Sequence, residues 1–303
     1  MTELIRTRDE LFSFSFSGSG PIVLVPTMGA LHDGHRALLR SARSVAGPGG
    51  SVVVSIFVNP LQFGPGEDLD RYPRTLADDL FMCSAEGVDA VFAPSGAEMY
   101  PDGKPSVTVD PGPMGALYEG AFRPGFFGGV LTVVLKLFNL VRPTAAVFGE
   151  KDAQQLALVR RLVTDLDLGV EIHAVRTVRD TDGLAISSRN RYLSISERKV
   201  ALVLPHALRA GCEAAASGAA AAAALAAARE VLAAEPEVTV DYLALVDPVT
   251  FAPMEGAPGA EVAAGAVPAV LAVPAVLAVA ARIGANRLID NVRIDLSGGQ
   301  RCC

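Results

Sequence analysis

Ser51-Val-Val-Val-Ser-Ile-Phe-Val58 narrows the possible folds more than any other stretch of the chain. It is continuously apolar and β-branched rather than alternating, which suits a strand buried on both faces. Such a strand needs helices above and below it. The flanking sequence supplies them, because further short apolar runs at 22–25, 88–93, 145–148 and 170–178 are separated by helical stretches at 36–45, 75–86, 129–141 and 152–166. Strands alternating with helices point to a parallel sheet covered on both sides. Gly47-Pro-Gly-Gly50 is a plain stop signal before the buried run, residues 94–128 read as loop, and 3–16 as a weak helix.

Past Asp180 the character changes. Residues 196–234 are helical and alanine-rich, broken at Ser217-Gly218, and strands are expected over 239–246, near 281 and over 288–294. The predicted fold class is therefore α/β. A Rossmann-like parallel sheet with helices on both faces occupies 1–177, and a smaller C-terminal α+β lid domain occupies 178–303.

Composition removes several function classes. The 303 residues carry a net charge of -7 and no dense Lys/Arg run, which argues against a nucleic-acid partner. The four cysteines, Cys83, Cys212, Cys302 and Cys303, contain no CxxC pair. That suits a reducing cytoplasm and neither a disulfide framework nor a zinc site, so no protein metal centre is expected. The N-terminus lacks the basic-then-apolar order of a signal peptide. Residues 262–281 form 20 uncharged positions, long enough to cross a bilayer. However, they are mostly Ala and Val, are broken by Pro268 and Pro274, and hold the repeat Ala266-Val-Pro-Ala-Val-Leu followed by Ala272-Val-Pro-Ala-Val-Leu. A low-complexity expansion beside one buried strand is the expectation, with no membrane partner.

In open parallel sheets, ligands bind outside the carboxyl ends of the strands. Polar residues of uncommon type collect at four such ends. The first strand leads into Met28 and the pair His32 and His35, half of the chain's four histidines. Placed at a helix start, where free N–H groups already favour phosphate, two imidazoles can donate to oxygens that gain charge during phosphoryl chemistry. The second leads into Asn59-Pro-Leu-Gln62, suited to a small polar substrate. The third leads into Gly149-Glu-Lys-Asp152, where Lys151 could meet phosphate oxygens and Asp152 could hold Mg²⁺ or a ribose hydroxyl. Gln155 shares their helix face. The fourth leads into Ser187-Ser-Arg189, two hydroxyls and a guanidinium able to clamp a triphosphate. His173, His206, Tyr72 and the pair Asp78-Asp79 carry ordinary core or surface expectations, the two aspartates being read as solvated. No GxxxxGK[ST] loop, GxSxG elbow or dinucleotide fingerprint follows a strand.

Five segments in order and spacing carry a resemblance. They are Pro26-Thr-Met-Gly-Ala-Leu-His-Asp-Gly-His35, Phe57-Val-Asn-Pro-Leu-Gln-Phe63, Arg71-Tyr-Pro-Arg-Thr75, Phe148-Gly-Glu-Lys-Asp152 and Ser187-Ser-Arg-Asn-Arg-Tyr192. Together they resemble the motif series of the pantothenate synthetases, within the wider His-x-Gly-His nucleotidyltransferase superfamily. The match runs over residues 20–195 and more loosely to Leu288-Ile-Asp-Asn291. The resemblance implies a homodimeric cytoplasmic ligase that makes pantothenate from pantoate, β-alanine and ATP with Mg²⁺ through a pantoyl adenylate, releasing pyrophosphate and then AMP.

Carried over by position, Met28, Gly29, Ala30, Leu31, His32, Asp33, Gly34 and His35 would line ATP, with His35 the proton donor. Gly149, Glu150, Lys151, Asp152, Val178, Ile186, Ser187, Ser188 and Arg189 would complete that site. Gln62 and Gln155 would hold pantoate, and Gln62 would also border β-alanine. One departure stands out: the family's Arg-Pro-x-His-Phe is Arg123-Pro-Gly-Phe126-Phe127 here, so Phe126 offers no imidazole. Two other readings stay open on the residues alone. One is a nucleotidyltransferase that releases pyrophosphate but never AMP; the other is a nonenzymatic nucleotide-binding or scaffold protein.

Overall fold

The computed structural model describes residues 2–14, 20–217, 220–254 and 274–296. Contacts divide the chain into two units, Met1–Glu150 with Leu158–Val178, and Lys151–Ala157 with Arg179–Cys303.

The first unit runs β1 (Glu3–Ile5), α1 (Arg8–Ser13), β2 (Ile22–Thr27), α2 (Asp33–Ala46), β3 (Ser51–Ile56), α3 (Leu76–Ala85), β4 (Ala90–Phe92), α4 (Gly96–Met99), α5 (Glu119–Phe122), α6 (Phe126–Val141), β5 (Ala145–Gly149), the helix α7 (Ala153–Asp165), which crosses the division, and β6 (Glu171–Val175). Its six strands pair in parallel in the order β1-β4-β3-β2-β5-β6. The buried run behaves as its composition demands. Val52 and Val54 join Val23, Val25, Leu39, Ala42 and Cys83 in one apolar cluster. Val53, Leu24 and Ala146 alternate to the opposite face and are equally buried. The α/β fold with a covered parallel sheet is thus observed. The strand order also reverses between β2 and β5, which marks the crevice where such sheets bind ligands.

Three expectations need correction. Residues 3–16 are not one helix: Leu4 and Ile5 pair with Val91 and Phe92 at the sheet edge. The capping box of Thr7 and Glu10 then starts α1 only at Arg8. Residues 94–128 are not plain loop, since α4, α5 and a 3₁₀ turn at Pro113–Ala116 fall there. Helix α6 begins at Phe126 rather than 129, after Gly125 in the left-handed conformation. Gly129 in its first turn marks a close approach: a Cβ there would run into the Leu61 carbonyl.

The second unit contains α8 (Ile195–Ala201), α9 (Val203–Ala216), α10 (Ala221–Ala233), β7 (Val238–Val246), β8 (Pro274–Ile283) and β9 (Asn286–Asp295). Its strands form an antiparallel sheet β7-β8-β9. The alanine enrichment has a packing reason. Ala207, Ala215, Ala224 and Ala228 are fully buried where α9 and α10 meet, beside Leu245, Leu277 and Val279 of the sheet. Small side chains let those helices approach closely, and Leu204, Leu208, Leu225 and Leu232 supply the apolar bulk. Most of the 266–277 repeat lies outside the described residues, and only its last four positions are seen, in β8. Cys302 and Cys303 also lie outside. Among the described residues no helix is long and apolar enough to cross a membrane.

Candidate active site

The loop after β2 is built by backbone constraints. Gly29 and Ala30 take φ of 81° and 52°, successive left-handed residues that only glycine tolerates freely. The Thr27 hydroxyl donates to the Ser55 carbonyl at 2.8 Å and accepts the Gly29 N–H at 3.2 Å. The Ala30 and Leu31 amides both donate to the Asp79 carboxylate, at 3.0 and 2.8 Å. Those two N–H groups are therefore directed into the protein. Asp79, expected to be solvated, is 2% exposed; the sequence reading missed it.

His32 is the N-cap of α2, a place usually held by Ser, Thr, Asp or Asn. Its Nδ1 accepts the Gly34 N–H at 3.2 Å, and Nδ1 of His35 accepts the His32 N–H at 3.3 Å. Because each Nδ1 acts as an acceptor, the proton of each neutral ring belongs on Nε2. The rings lie 4.1 Å apart, tilted by 42°. Both imidazoles thus sit at a helix N-terminus, where the dipole favours negative charge. Farther along α2, Arg36 and Arg40 reach Glu86 just beyond α3, at 2.9 and 2.8 Å. Arg40 above all holds the Glu86 carboxyl below its ordinary value. Burial pushes the nearby Cys83 thiol up to about 12, so it is no nucleophile.

The turn after β3 is built by side chains instead. Asn59 is fully buried and every hydrogen-bonding position of its amide is occupied. Nδ2 donates to Gln62 Oε1 at 3.0 Å and to the Gly129 carbonyl at 3.1 Å. Oδ1 accepts from the Tyr100 hydroxyl at 2.9 Å and the Leu61 N–H at 3.3 Å. The side chain that sequence reading assigned to substrate is occupied in fixing Gln62. With Oε1 engaged, the Gln62 amide must turn its NH₂ the other way, as a pair of donors. Burial pushes the Tyr100 phenol up to about 12, so it keeps the proton it donates. Arg123 donates to the Gln62 carbonyl at 3.0 Å and pairs with Glu67 at 2.7 Å, while its guanidinium lies 3.7 Å over the Phe126 ring. Where the resemblance led one to look for an imidazole, Phe126 packs under the arginine that grips this turn.

Gly149 closes β5, paired with Val175, and Glu150 follows it; Val178 lies three residues beyond β6. The loops carrying residues 28–35 and Gly149-Glu150 therefore leave the two strands at which the sheet order reverses.

In the second unit, the Lys151 carbonyl accepts from Asn291 Nδ2 at 2.7 Å. Arg179 donates to the Asn291 carbonyl at 3.2 Å and grips buried Asp290 with both guanidinium nitrogens, at 2.6 and 2.9 Å. Arg179 also bridges to Ala185, directly before Ile186. The Ser187 hydroxyl accepts the Arg189 N–H at 3.3 Å as Ser188–Tyr192 turns into a 3₁₀ helix. Residues 290 and 291 of β9 thus tie the Lys151 turn to the segment that carries Ser187, Ser188 and Arg189. Gln155 is half-buried and Asp152 exposed. Arg179 and Asp290 escaped the sequence reading, although Leu288-Ile-Asp-Asn291 marked their surroundings. Mg²⁺ takes one or two protein carboxylates and otherwise phosphate and water oxygens, a demand that exposed Asp152 fits without a preformed cluster.

Comparison with known proteins follows the same line. The pantoate-beta-alanine ligase family profile matches residues 3–293. A pantothenate synthetase of Thermobifida fusca is 60% identical over 284 residues, 91% of this chain and 90% of that one. The counterpart from Acidothermus cellulolyticus is 55% identical over 287 residues, 95% of this chain and 90% of the other. Among solved structures, the pantothenate synthetase of Thermus thermophilus superposes with a TM-score of 0.85 at 49% identity, covering 96% of this chain and 99% of that one. The ligase of Francisella tularensis, complexed with beta-gamma ATP and beta-alanine, gives 0.74 at 30% identity over 96% and 97%. The chain belongs to the pantoate–β-alanine ligase family.

Proposed function

We propose that this protein ligates pantoate to β-alanine in two steps at the expense of ATP. A pantoate carboxylate oxygen attacks the α-phosphorus of ATP, the bond to the β-phosphate breaks, and pyrophosphate leaves. The β-alanine amine then attacks the carbonyl of the resulting pantoyl adenylate, loses a proton, and the carbon–oxygen bond to AMP breaks. Attack on phosphorus needs alignment and neutralisation of developing charge more than covalent help.

The observation that carries this reading is the His32 and His35 pair, each imidazole held by a backbone N–H so that Nε2–H is the donor. Those donors suit the oxygens of the α-phosphate as they gain charge, with His35 proposed as the main one. Gln62, its amide turned by Asn59, presents NH₂ to the pantoate carboxylate or hydroxyls, and Gln155 is proposed as a second pantoate contact. Asn59 supports Gln62 without touching substrate. Met28, Gly29, Ala30, Leu31, Asp33 and Gly34 shape the ATP wall, Ala30 and Leu31 through conformation since their N–H groups already serve Asp79. Gly149, Glu150, Val178 and Ile186 are proposed as further ATP contacts. Lys151, Ser187, Ser188 and Arg189 are proposed to meet the phosphates, and Asp152 the Mg²⁺ that accompanies them. A cytoplasmic homodimer, with residues 178–303 as a functional lid domain, completes the proposal.

Stepwise incubation tests it. With ATP and Mg²⁺ alone neither product should form. Pyrophosphate should appear on adding pantoate, and AMP only after β-alanine. Pyrophosphate that never leads to AMP would instead mark a nucleotidyltransferase, and silence at both steps a nonenzymatic protein.

A further inference from the structure

We propose that Asp79 is a positioning residue for the nucleotide site, an inference that rests on the adenylating role proposed above. Its carboxylate latches the left-handed turn from which His32 and His35 are presented. Each oxygen accepts one of two consecutive backbone amides, Oδ2 from Ala30 at 3.0 Å and Oδ1 from Leu31 at 2.8 Å. Oδ1 also accepts the Thr75 hydroxyl at 3.2 Å. The side chain is 2% exposed and sits in the first turn of α3, whose dipole favours a carboxylate there. Backbone amides, a hydroxyl and a helix end thus hold it.

The turn needs this partner. Ala30 carries a Cβ at φ 52°, a conformation that is strained for a non-glycine residue and persists where its surroundings over-determine it. The next residue after Leu31 is His32, whose N–H fixes His35 and whose Nδ1 fixes the start of α2. Any relaxation at Ala30 is therefore passed to both imidazoles. Gly29 shows how closely the carboxylate is applied, since a Cβ there would stand 2.9 Å from Asp79 Oδ2. Asp79 touches none of the proposed reacting groups, and its effect on catalysis runs through the two rings.

Asp79→Asn keeps the size of the side chain but sets an NH₂ donor against one of the two amide donors. We expect KM for ATP to rise and kcat to fall by about tenfold or more each, with KM for β-alanine within about twofold of the parent. Nitrogen-correlated NMR of the four histidines gives a readout independent of turnover. The His32 and His35 signals should move, while those of His173 and His206 stay. A folded Asp79→Asn protein with parental ATP kinetics and imidazole signals would overturn the proposal. So would one in which all four histidines and all three KM values shift together. Should that variant fail to fold, Thr75→Val removes only the hydroxyl donor. It should raise KM for ATP about threefold and move the same two signals, and no change in either overturns the latch. If the parent enzyme does not turn over pantoate and β-alanine, the proposed function fails, while the histidine signals still decide the latch.

Discussion

Two neighbouring loops at the carboxyl end of the sheet solve the same problem by different means. After β2, the imidazoles of His32 and His35 are oriented by main-chain N–H groups. After β3, the Gln62 amide is oriented by the side chain of Asn59, itself held by Tyr100. In both, an acceptor atom is engaged by the protein, which sets the nitrogen that carries the N–H. The difference lies in what each arrangement depends on. The histidine pair rests on the shape of a turn, and so on Asp79 and the backbone. The glutamine rests on a relay of buried polar side chains, which is undone by losing any one member. If that contrast is right, damage to the first loop should appear in the ATP step and damage to the second in the use of pantoate.

The largest effect should come from His35→Ala. Removing one donor to developing charge should lower kcat for pantoate-dependent pyrophosphate release by about 10²- to 10³-fold. The histidine variant should leave KM for pantoate little changed, and a loss below about fivefold would break the contrast at its stronger end.

Asn59→Ala comes next. It strips partners from the buried Tyr100 hydroxyl, the Gly129 carbonyl and Gln62 Oε1. Stability to urea should fall by about 1–3 kcal/mol and KM for pantoate should rise about tenfold, with KM for ATP little moved. Equal changes in both KM values would show that the loops are not separable.

Tyr100→Phe is the mildest test. One hydrogen bond is lost, at about 1 kcal/mol, and Asn59 keeps its other three partners. Its pH dependence sharpens the assignment. The folded phenol is pushed up to about 12 from an ordinary value of 10.0, so the protonated form is favoured by folding. The tyrosine's contribution should be fully present below pH 10 and disappear as pH rises through about 12. The stability difference between parent and variant, followed by urea unfolding across that window, should shrink accordingly. A difference that grows with pH would contradict it.

Much of this was legible in the sequence because it is local. The runs that became β2, β3 and β5 are bounded by Gly or Pro and could hardly be anything but buried strands. The helix start at His32 follows directly from one of them. What escaped was set at long range. β1 is three residues long and exists only because Leu4 and Ile5 find Val91 and Phe92. Tyr100 meets Asn59 across 41 positions, and Asp79 meets Ala30 across 49. A carboxylate in a first helical turn reads the same whether solvated or buried, so the residue that shapes the histidine loop looked ordinary. The place of Gly129 is set at long range as well, since the carbonyl it accommodates belongs to Leu61.

The fate of a single oxygen tests the adenylating chemistry most directly. Pantoate labelled with ¹⁸O in its carboxylate, turned over with ATP, Mg²⁺ and β-alanine, should give AMP carrying one label on its phosphate and pantothenate that has lost one. Label found in pyrophosphate or inorganic phosphate, or AMP formed without it, would contradict carboxylate attack on the α-phosphorus.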